Sequence, residues 1–203
     1  MKIPSKHIEN VVDQLSSLPG IGKRTALRLA LNIMNRSKEE VEAFALSFIE
    51  MKQNVKKCSG CGNVSDTPIC SICSNPNRDH SIICVVEDIR DVLAIESTES
   101  YKGVYHVLGA IISPMEGIGP NELNIDPLIE KSASGEIKEV IFALSATMEG
   151  DTTNYYLYKK INSYSIQITS LSRGVAVGSE LQYADELTLG RSIINRQPFQ
   201  IQS

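Results

Sequence analysis

The sequence lacks the features that a membrane or secreted protein would show. It contains no apolar run of about 18 residues, so a membrane-spanning helix is not expected. The N-terminus, MKIPSKHIEN, carries two lysines but no apolar segment, so a secretory signal is not expected either. Tryptophan is absent, and we find no internal repeat and no low-complexity tract. We therefore expect a cytoplasmic protein whose 203 residues form one sizeable core with a small appendage, or two small domains.

Positive charge is also scarce for a protein that would bind nucleic acid, since the net charge is −4. The charges are unevenly placed, however. Residues 1–57 hold ten Lys and Arg against six Asp and Glu, whereas the rest of the chain holds ten against eighteen. A basic N-terminal part joined to an acidic body indicates two different tasks, although chance variation over a short window would give the same asymmetry.

Apolar spacing in the first 57 residues predicts three short helices separated by turns. The third helix should begin after Ser37, because Ser37 and Glu40 have the spacing of a capping box. The apolar positions of the three helices are, in turn, Ile8, Val11, Val12, Leu15 and Leu18; Ala26, Leu27, Ala30 and Leu31; and Val41, Phe44, Ala45, Phe48 and Ile49.

From Ser81 onward, continuous apolar runs alternate with helical patterns. The predicted strands are SIICVVE, GVYHVLGA, KEVIFALS and SIQITSLS, and the predicted helices between them are DIRDVLAIEST, NIDPLIEKSAS and TTNYYLYKKIN. This order predicts βαβ units, a parallel sheet and right-handed crossovers. The tail from Arg173 is mixed, with a short helix expected in DELTLGRSIINR.

Four of the five cysteines form a pattern that is typical of a zinc site. Cys58, Cys61, Cys70 and Cys73 stand as C-x2-C, eight residues, C-x2-C. The two-residue gaps let both thiolates of a pair reach one ion, and four sulfurs would close the shell of a structural Zn²⁺. Two disulfides are the alternative, which an intracellular compartment disfavours. Cys84 lies inside a predicted strand and should be a buried small hydrophobe.

The stretch LPGIGKRTALRLA joins two amphipathic helices through a glycine turn. Gly20 and Gly22 permit positive φ and carry no Cβ that would hold a phosphate away. Backbone N–H groups of the turn and of the next helix would then point at one anion. The cations that follow the turn are Lys23, Arg24 and Arg28. The pattern predicts a helix-hairpin-helix element that binds DNA independently of sequence, with an ordinary tight turn and a solvated basic face as the alternative.

Carboxylates follow two of the predicted strands. Glu87 and Asp88 come after IICVV, and Glu149 and Asp151 come after KEVIFALSAT. In a parallel sheet both pairs would lie at the carboxyl edge, where they could hold Mg²⁺. Capping of helix N-termini is the alternative. We find no nucleophile with a plausible base beside it, so catalysis is not expected.

Several further stretches occur together with these motifs: ICVVED, VLGAIISPMEGIGP, ATMEGDTTNYYL and SRGVAVGSELQYADELTLGRSI. In this combination the chain resembles the RecR family of bacterial recombination mediators over nearly its whole length. The resemblance implies a multi-part α+β protein. Its parts would be a helix-hairpin-helix region over 1–57, a four-cysteine zinc motif over 58–80, a Toprim domain with a mostly parallel sheet over 81–172, and a C-terminal Walker-B-like oligomerisation segment over 173–203.

The resemblance also implies a function. Members of that family bind DNA without cutting it, partner RecO and RecF, and help load RecA onto gapped DNA coated by single-strand-binding protein. They form ring-like oligomers, expected here as a tetramer, through exchanged N- and C-terminal segments. Carried over by motif, the DNA-facing cations would be Lys23, Arg24 and Arg28, and the ligands of one Zn²⁺ per chain would be Cys58, Cys61, Cys70 and Cys73.

The acidic residues depart from the pattern of Toprim enzymes, which carry a strand-end glutamate and a later Asp-x-Asp. Glu87 matches the first, but the second position reads Glu149-Gly150-Asp151. This departure weighs against Mg²⁺ chemistry and leaves the acids free to meet a basic partner such as RecO. The leading hypothesis is a non-enzymatic, oligomeric DNA clamp, at the nucleoid during repair. The rivals are an Mg²⁺-dependent Toprim nuclease or primase-like enzyme and a zinc-ribbon adaptor that touches only proteins.

Overall fold

The computed structural model describes residues 3–172, 174–175, 178–196 and 198. The chain divides into two compact units, residues 1–55 and 56–203. Part of the predicted Walker-B-like segment, including Arg173, lies outside the described residues. No helix within the described ranges is long and apolar enough to cross a membrane.

Three helices form the first unit, as the apolar spacing predicts. They are α1 (Lys6–Ser16), α2 (Lys23–Met34) and α3 (Lys38–Asn54). Val12 of α1 packs with Ala26 and Ala30 of α2 in a small buried core. The short alanine side chains let the two helices approach closely, and this pairing fixes the turn between them.

The third helix begins at the predicted capping box. Ser37 Oγ accepts the N–H of Glu40 at 3.2 Å, and Glu40 Oε2 accepts the N–H of Ser37 at 2.9 Å. None of the 17 residues of α3, all of them described, is buried. The large apolar side chains that it leaves exposed are Phe44, Leu46, Phe48, Ile49 and Met51. The apolar spacing of α3 thus correctly predicts a helix, but its apolar residues join no buried core among the residues that the structure describes.

The second unit begins with a small cysteine module, which we define as residues 56–75. Two-residue strands, β1 (Lys56–Lys57) and β2 (Val64–Ser65), pair antiparallel within it. Strands of this length are too short to show alternating hydrophobicity, so no pattern in the sequence indicates them.

A four-stranded sheet forms the body of the second unit. Its strands are β3 (Asp79–Val86), β4 (Gly103–Val107), β5 (Glu139–Phe142) and β6 (Gln167–Ser170), in the order β4-β3-β5-β6. All three pairings are parallel, which confirms the prediction from the alternating pattern. The helices of this unit are α4 (Ile89–Glu96), α5 (Asp126–Ala133), α6 (Met148–Ile161) and α7 (Glu186–Ile194).

The central strand β3 is buried on both faces, as its continuous apolar run predicts. Ile83 and Val85 pack into a core with residues of α5 and α6, whereas Cys84 and Val86 pack on the other face with Val92 of α4. Cys84 is 2% exposed, its burial raises its pKa to about 12, and it lies outside the group of cysteines whose Sγ atoms converge, so it is a buried hydrophobe as predicted. Since β3 and β5 are neighbours and parallel, the segments that follow them leave the sheet at the same edge.

Candidate nucleic-acid interface and metal centre

The four cysteines of the C-x2-C pairs converge. Their Sγ atoms all lie within 4.8 Å of one another, and Cys61 Sγ lies 3.6 Å from Cys70 Sγ. Tetrahedral Zn²⁺ with Zn–S bonds of about 2.3 Å would hold its sulfurs about 3.8 Å apart. None of the five cysteines forms a disulfide. The donor set and its spacing therefore fit one structural Zn²⁺.

Backbone N–H groups point at these sulfurs. Cys58 Sγ accepts the N–H of Cys70 at 3.2 Å, and Cys70 Sγ lies 3.5 Å from the N–H of Cys73. Burial opposes ionisation of Cys58, but the N–H groups of Cys70, Cys61 and Gly60 outweigh it and lower its pKa to about 7. The hydrogen bond with Cys73 and burial raise the pKa of Cys61. A metal ion must therefore displace protons here, so its binding weakens in acid.

Hydrogen bonds to the backbone at Gly60 and Cys61 attach the cysteine module to the rest of the second unit. The N–H of Val107, at the end of β4, donates to the carbonyl oxygen of Cys61 at 2.7 Å, and Lys131 Nζ donates to the carbonyl oxygen of Gly60. Gly62 has φ of 78°, and a Cβ there would lie 2.8 Å from the carbonyl oxygen of Val107. Only glycine permits both this conformation and this close approach.

The glycine turn between α1 and α2 is tight and open to its surroundings. Gly20 has φ of 79°, whereas Gly22 is extended, with φ of −78°. The permitted positive φ is thus adopted at Gly20 but not at Gly22, which acts as the N-cap of α2. No side chain caps this helix start, and an added Cβ at either glycine would meet no atom within 4 Å. The first N–H groups of α2 are therefore free to meet an anion.

The three cations after the turn are exposed. Lys23 Nζ lies 3.9 Å from Asp13 Oδ1, but both side chains are more than half exposed, so this pair is weak. Arg24 and Arg28 form no ion pair with any residue that the structure describes. Both guanidinium groups can therefore meet a phosphate without first losing a partner.

The first carboxylate pair lies where β3 ends and α4 begins. Asp88 caps α4, since its Oδ1 accepts the N–H of Arg90 at 2.7 Å. The hydrogen bonds from Arg90 also hold the pKa of Asp88 below its usual value. Burial, with nearby Asp91 and then Asp88, raises the pKa of Glu87. Helix capping, the alternative to Mg²⁺ binding, thus applies to Asp88. Glu87 caps no helix that the structure describes and lies near other carboxylates.

The second pair lies in the first turn of α6. Thr147 caps this helix, and Asp151 Oδ2 lies 3.7 Å from Arg191 Nη2 of α7. Gly150, between the two acids, is packed so closely that a Cβ would lie 2.0 Å from the carbonyl oxygen of Ser145. Among the described residues, the cysteines are the only group of three or more His, Cys, Asp or Glu whose ligand atoms converge. The four acids therefore lie at one edge of the sheet, but their oxygen atoms do not converge as the ligands of one metal ion would.

Sequence reasoning did not find Asp91, Asn124 and Lys131. Asp91 completes a capping box by accepting the N–H groups of Glu87 and Asp88 at 3.1 and 3.3 Å, and the spacing from Asp88 to Asp91 could have revealed it. Asn124 Nδ2 donates to the carbonyl oxygen of Val107 at 3.1 Å. Neither Asn124 nor Lys131 carries a local signal, because each acts across a tertiary contact.

Family models match this chain in four consecutive segments. They are a RecR helix-hairpin-helix model at residues 8–51, a RecR four-cysteine zinc finger model at 55–75, a Toprim domain model at 81–172 and a RecR C-terminal model at 174–197. The order confirms the expected multi-part fold class, and the zinc finger match agrees with the convergence of the four cysteines.

Whole-length relatives show the same similarity. The chain is 56% identical to the recombination protein RecR of Flavobacterium johnsoniae over 200 residues, which cover 98% of this chain and 97% of that protein. It is 54% identical to RecR of Parabacteroides distasonis over 202 residues, covering 100% and 97%. Identity to RecR of Porphyromonas gingivalis is 51% over 198 residues, covering 98% and 96%.

Proposed function

The chain belongs to the RecR family of recombination proteins, and we propose that it mediates recombinational DNA repair by binding gapped DNA without cutting it. One observation carries the proposal: the turn at Gly20 and Gly22 is open, and Arg24 and Arg28 stand beside it without an ion pair among the described residues. This arrangement binds sugar-phosphate and reads no bases, so the contact is independent of sequence.

The mechanism of binding is electrostatic and uses preformed donors. Phosphate oxygens accept hydrogen bonds from the free N–H groups at the start of α2, where the helix dipole favours an anion. Lys23, Arg24 and Arg28 then neutralise phosphates on either side and release their counterions, which makes the affinity fall steeply with salt. One turn alone binds weakly, so the proposed clamp needs several copies on one DNA.

We further propose that the clamp is a ring-like tetramer and that α3 contributes to the contacts between copies. The exposed apolar residues of α3 support this, because a helix with no buried residue gains stability by packing against a second chain. Copies joined in this way would hold their hairpin turns at a high effective concentration around DNA. A protein with a net negative charge could then bind DNA, because only the basic hairpin turns would contact the phosphates.

Replacement of Phe48 by Glu should weaken assembly by at least about tenfold in the dissociation constant, because an unpaired carboxylate in an apolar contact costs several kcal/mol. Phe48 is 54% exposed, so the variant should keep its helical circular dichroism spectrum. Sedimentation velocity over a range of concentrations measures the effect. Ser47→Glu adds the same charge to the same exposed helix and is the matched control. Equal assembly of wild type and Phe48→Glu would remove α3 from the proposed contact.

The acidic edge of the sheet is the proposed contact for a basic partner, RecO. Asp91, Asp88 and Glu116 act on Glu87 together with one cation, Arg90, which pairs with Asp88. Met115, next to Glu116 in the chain, is 95% exposed, so negative charge is in excess near an exposed apolar side chain. With RecO and RecF, the protein would help load RecA where single-strand-binding protein covers a gap. This role places it in the cytoplasm at the nucleoid, with one structural Zn²⁺ per chain.

The alternative is an Mg²⁺-dependent Toprim nuclease or primase-like enzyme that uses Glu87, Glu149 and Asp151. Nicked, gapped and single-stranded DNA, each incubated with pure protein and Mg²⁺ or Mn²⁺, should be bound but not cut or extended, as followed by gel shift and by end-labelled product analysis. Glu87→Ala should bind DNA as the wild type does, since the acid is remote in sequence from the hairpin. If the wild type cut or extended DNA and Glu87→Ala did not, the mediator hypothesis would be wrong and the enzyme hypothesis would take its place.

A further inference from the structure

The loop between the first two zinc ligands is held by a lysine from another part of the fold. Lys131 lies 71 residues after Gly60, on α5, and its ammonium donates to the Gly60 carbonyl oxygen. Gly60 is itself in contact with the sulfurs, since a Cβ there would lie 3.3 Å from Cys73 Sγ and 3.6 Å from Cys58 Sγ. The ammonium is therefore hydrogen-bonded to the backbone of the loop that carries the first two ligands.

This position gives the lysine an electrostatic task. Zn²⁺ with four thiolates carries a net charge of −2, and the three ligands Cys58, Cys61 and Cys70 are buried. A half-buried cation beside such a centre offsets charge that solvent screens poorly. Its hydrogen bond also polarises the peptide that joins Gly60 to Cys61, and the N–H of that peptide, which belongs to Cys61, is among the groups that lower the pKa of Cys58.

A second hydrogen bond joins the sheet to the cysteine module, and its acceptor again lies in the module. β4 is an edge strand, so the outward N–H of Val107 finds no partner in the sheet and donates instead to Cys61 at 2.7 Å. Two residues further on, the N–H of Gly109 donates to the carbonyl oxygen of Glu87 at 2.8 Å. The backbone of a zinc ligand and the backbone of the acidic edge are thus joined through three residues of one segment.

We propose that Lys131 is a positioning residue of the zinc centre, and that zinc binding and the order of the carboxyl end of β4 are reciprocally coupled through Lys131 and Val107. This rests on the structural zinc of the proposed function. Zinc loss would release the loop at Gly60 and Cys61, free the N–H of Val107 and loosen the segment that holds Glu87. The coupling is a single free energy, so zinc must favour the ordered end of β4 by the same factor by which that order strengthens zinc binding.

The role of Lys131 as a positioning residue is tested by the zinc affinity of the full chain, measured by competition with a chromophoric chelator. Lys131→Met should bind Zn²⁺ about tenfold or more weakly, as is usual when a group that supports the ligands of a metal is removed. Lys131→Arg, which keeps the charge and a donor, should recover most of the affinity. Lys138→Met removes an exposed lysine from the same unit and should bind as the wild type does. Equal zinc affinity in Lys131→Met and wild type would overturn the assignment.

The coupling between zinc binding and the end of β4 is tested by hydrogen exchange of the wild type. This measurement does not depend on whether a variant folds. Removal of Zn²⁺ should raise the exchange rate of the Val107 amide at least about tenfold, with a smaller rise at Gly109. The control is the amide of Ala143, which donates to Val85 at 2.9 Å on the neighbouring strand pair and should change little. Equal protection of Val107 with and without zinc would overturn the coupling. A wild-type chain that binds no Zn²⁺ would instead refute the zinc of the proposed function.

Discussion

A chain with both Arg24 and Arg28 replaced by alanine is expected to bind gapped DNA about a hundredfold more weakly at moderate salt. A hydrogen bond to a charged group contributes about 1.5–3 kcal/mol, and each variant chain lacks two such bonds to phosphate. The dependence of log affinity on log salt should also flatten by about 0.9 for every phosphate that is no longer neutralised. Because both side chains are exposed and lack ion pairs with described residues, the melting temperature should hardly change.

Fluorescence anisotropy with a labelled gapped duplex over a series of salt concentrations measures both effects. Lys6→Ala with Lys138→Ala removes the same charge from exposed positions outside the glycine turn and outside α3, and is the matched control. The control should lose little affinity, because charge outside the contact acts only through screened, long-range attraction. If the two double variants behaved alike, the hairpin would contribute only general positive charge, and the open turn would have no special role.

The second large effect is expected in the pH dependence of stability. His106 is fully buried on β4, its Nε2 donates to the carbonyl oxygen of Asn124 at 2.5 Å, and its Nδ1 has no partner among the described residues. Burial lowers the pKa of His106 to about 4, from an ordinary value of 6.5. The native chain thus keeps the imidazole neutral over a range in which the unfolded chain binds a proton.

The sign follows from this difference in proton binding. Because the unfolded state binds more protons between about pH 6.5 and about pH 4, the free energy of unfolding falls as the pH falls through that window. The loss from His106 alone reaches at most about 3.5 kcal/mol, since one pKa unit corresponds to about 1.4 kcal/mol. Below about pH 4 both states are protonated and the contribution becomes constant.

Urea unfolding at several pH values, compared between wild type and His106→Leu, isolates the histidine. The variant should lose less stability on acidification, although its stability near neutral pH should be lower because the hydrogen bond to Asn124 is gone. His80→Gln removes an exposed histidine and should follow the wild type. Carboxylates contribute equally to all three chains and cancel in the comparison. Parallel pH curves for wild type and His106→Leu would contradict a neutral buried imidazole.

The local elements of this fold could be predicted because their causes are local. The capping box at Ser37 and Glu40, the glycine turn and the alternation of strands with helices each appear within a few residues of sequence, and the structure contains all three. The parallel direction of the sheet also followed, since helical connections of this kind require it. What alternation does not fix is which strands are neighbours, and the central position of β3 became known only from the structure.

The remaining features depend on contacts between distant residues. Apolar spacing predicts α3 but not what covers its apolar side, because spacing records a face and not its partner. C-x2-C spacing likewise predicts the zinc ligands without revealing Lys131, whose role depends on how α5 packs against the module. For the carboxylates, the sequence left both capping and metal binding open, and only the hydrogen bond from Arg90 identified Asp88 as a cap.

The contact at Gly150 has a consequence for how the acidic residues can vary. Because even a methyl group there would overlap the carbonyl oxygen of Ser145, the start of α6 is pressed against the loop that leaves β5. Mutation can exchange Glu149 or Asp151 for another polar residue at small steric cost, whereas any change of the glycine would displace both carboxylates together. The packing at Gly150 therefore fixes the spacing between the two carboxylates. Substitutions can change the chemistry of either side chain, but they leave the position of the pair on the surface unchanged.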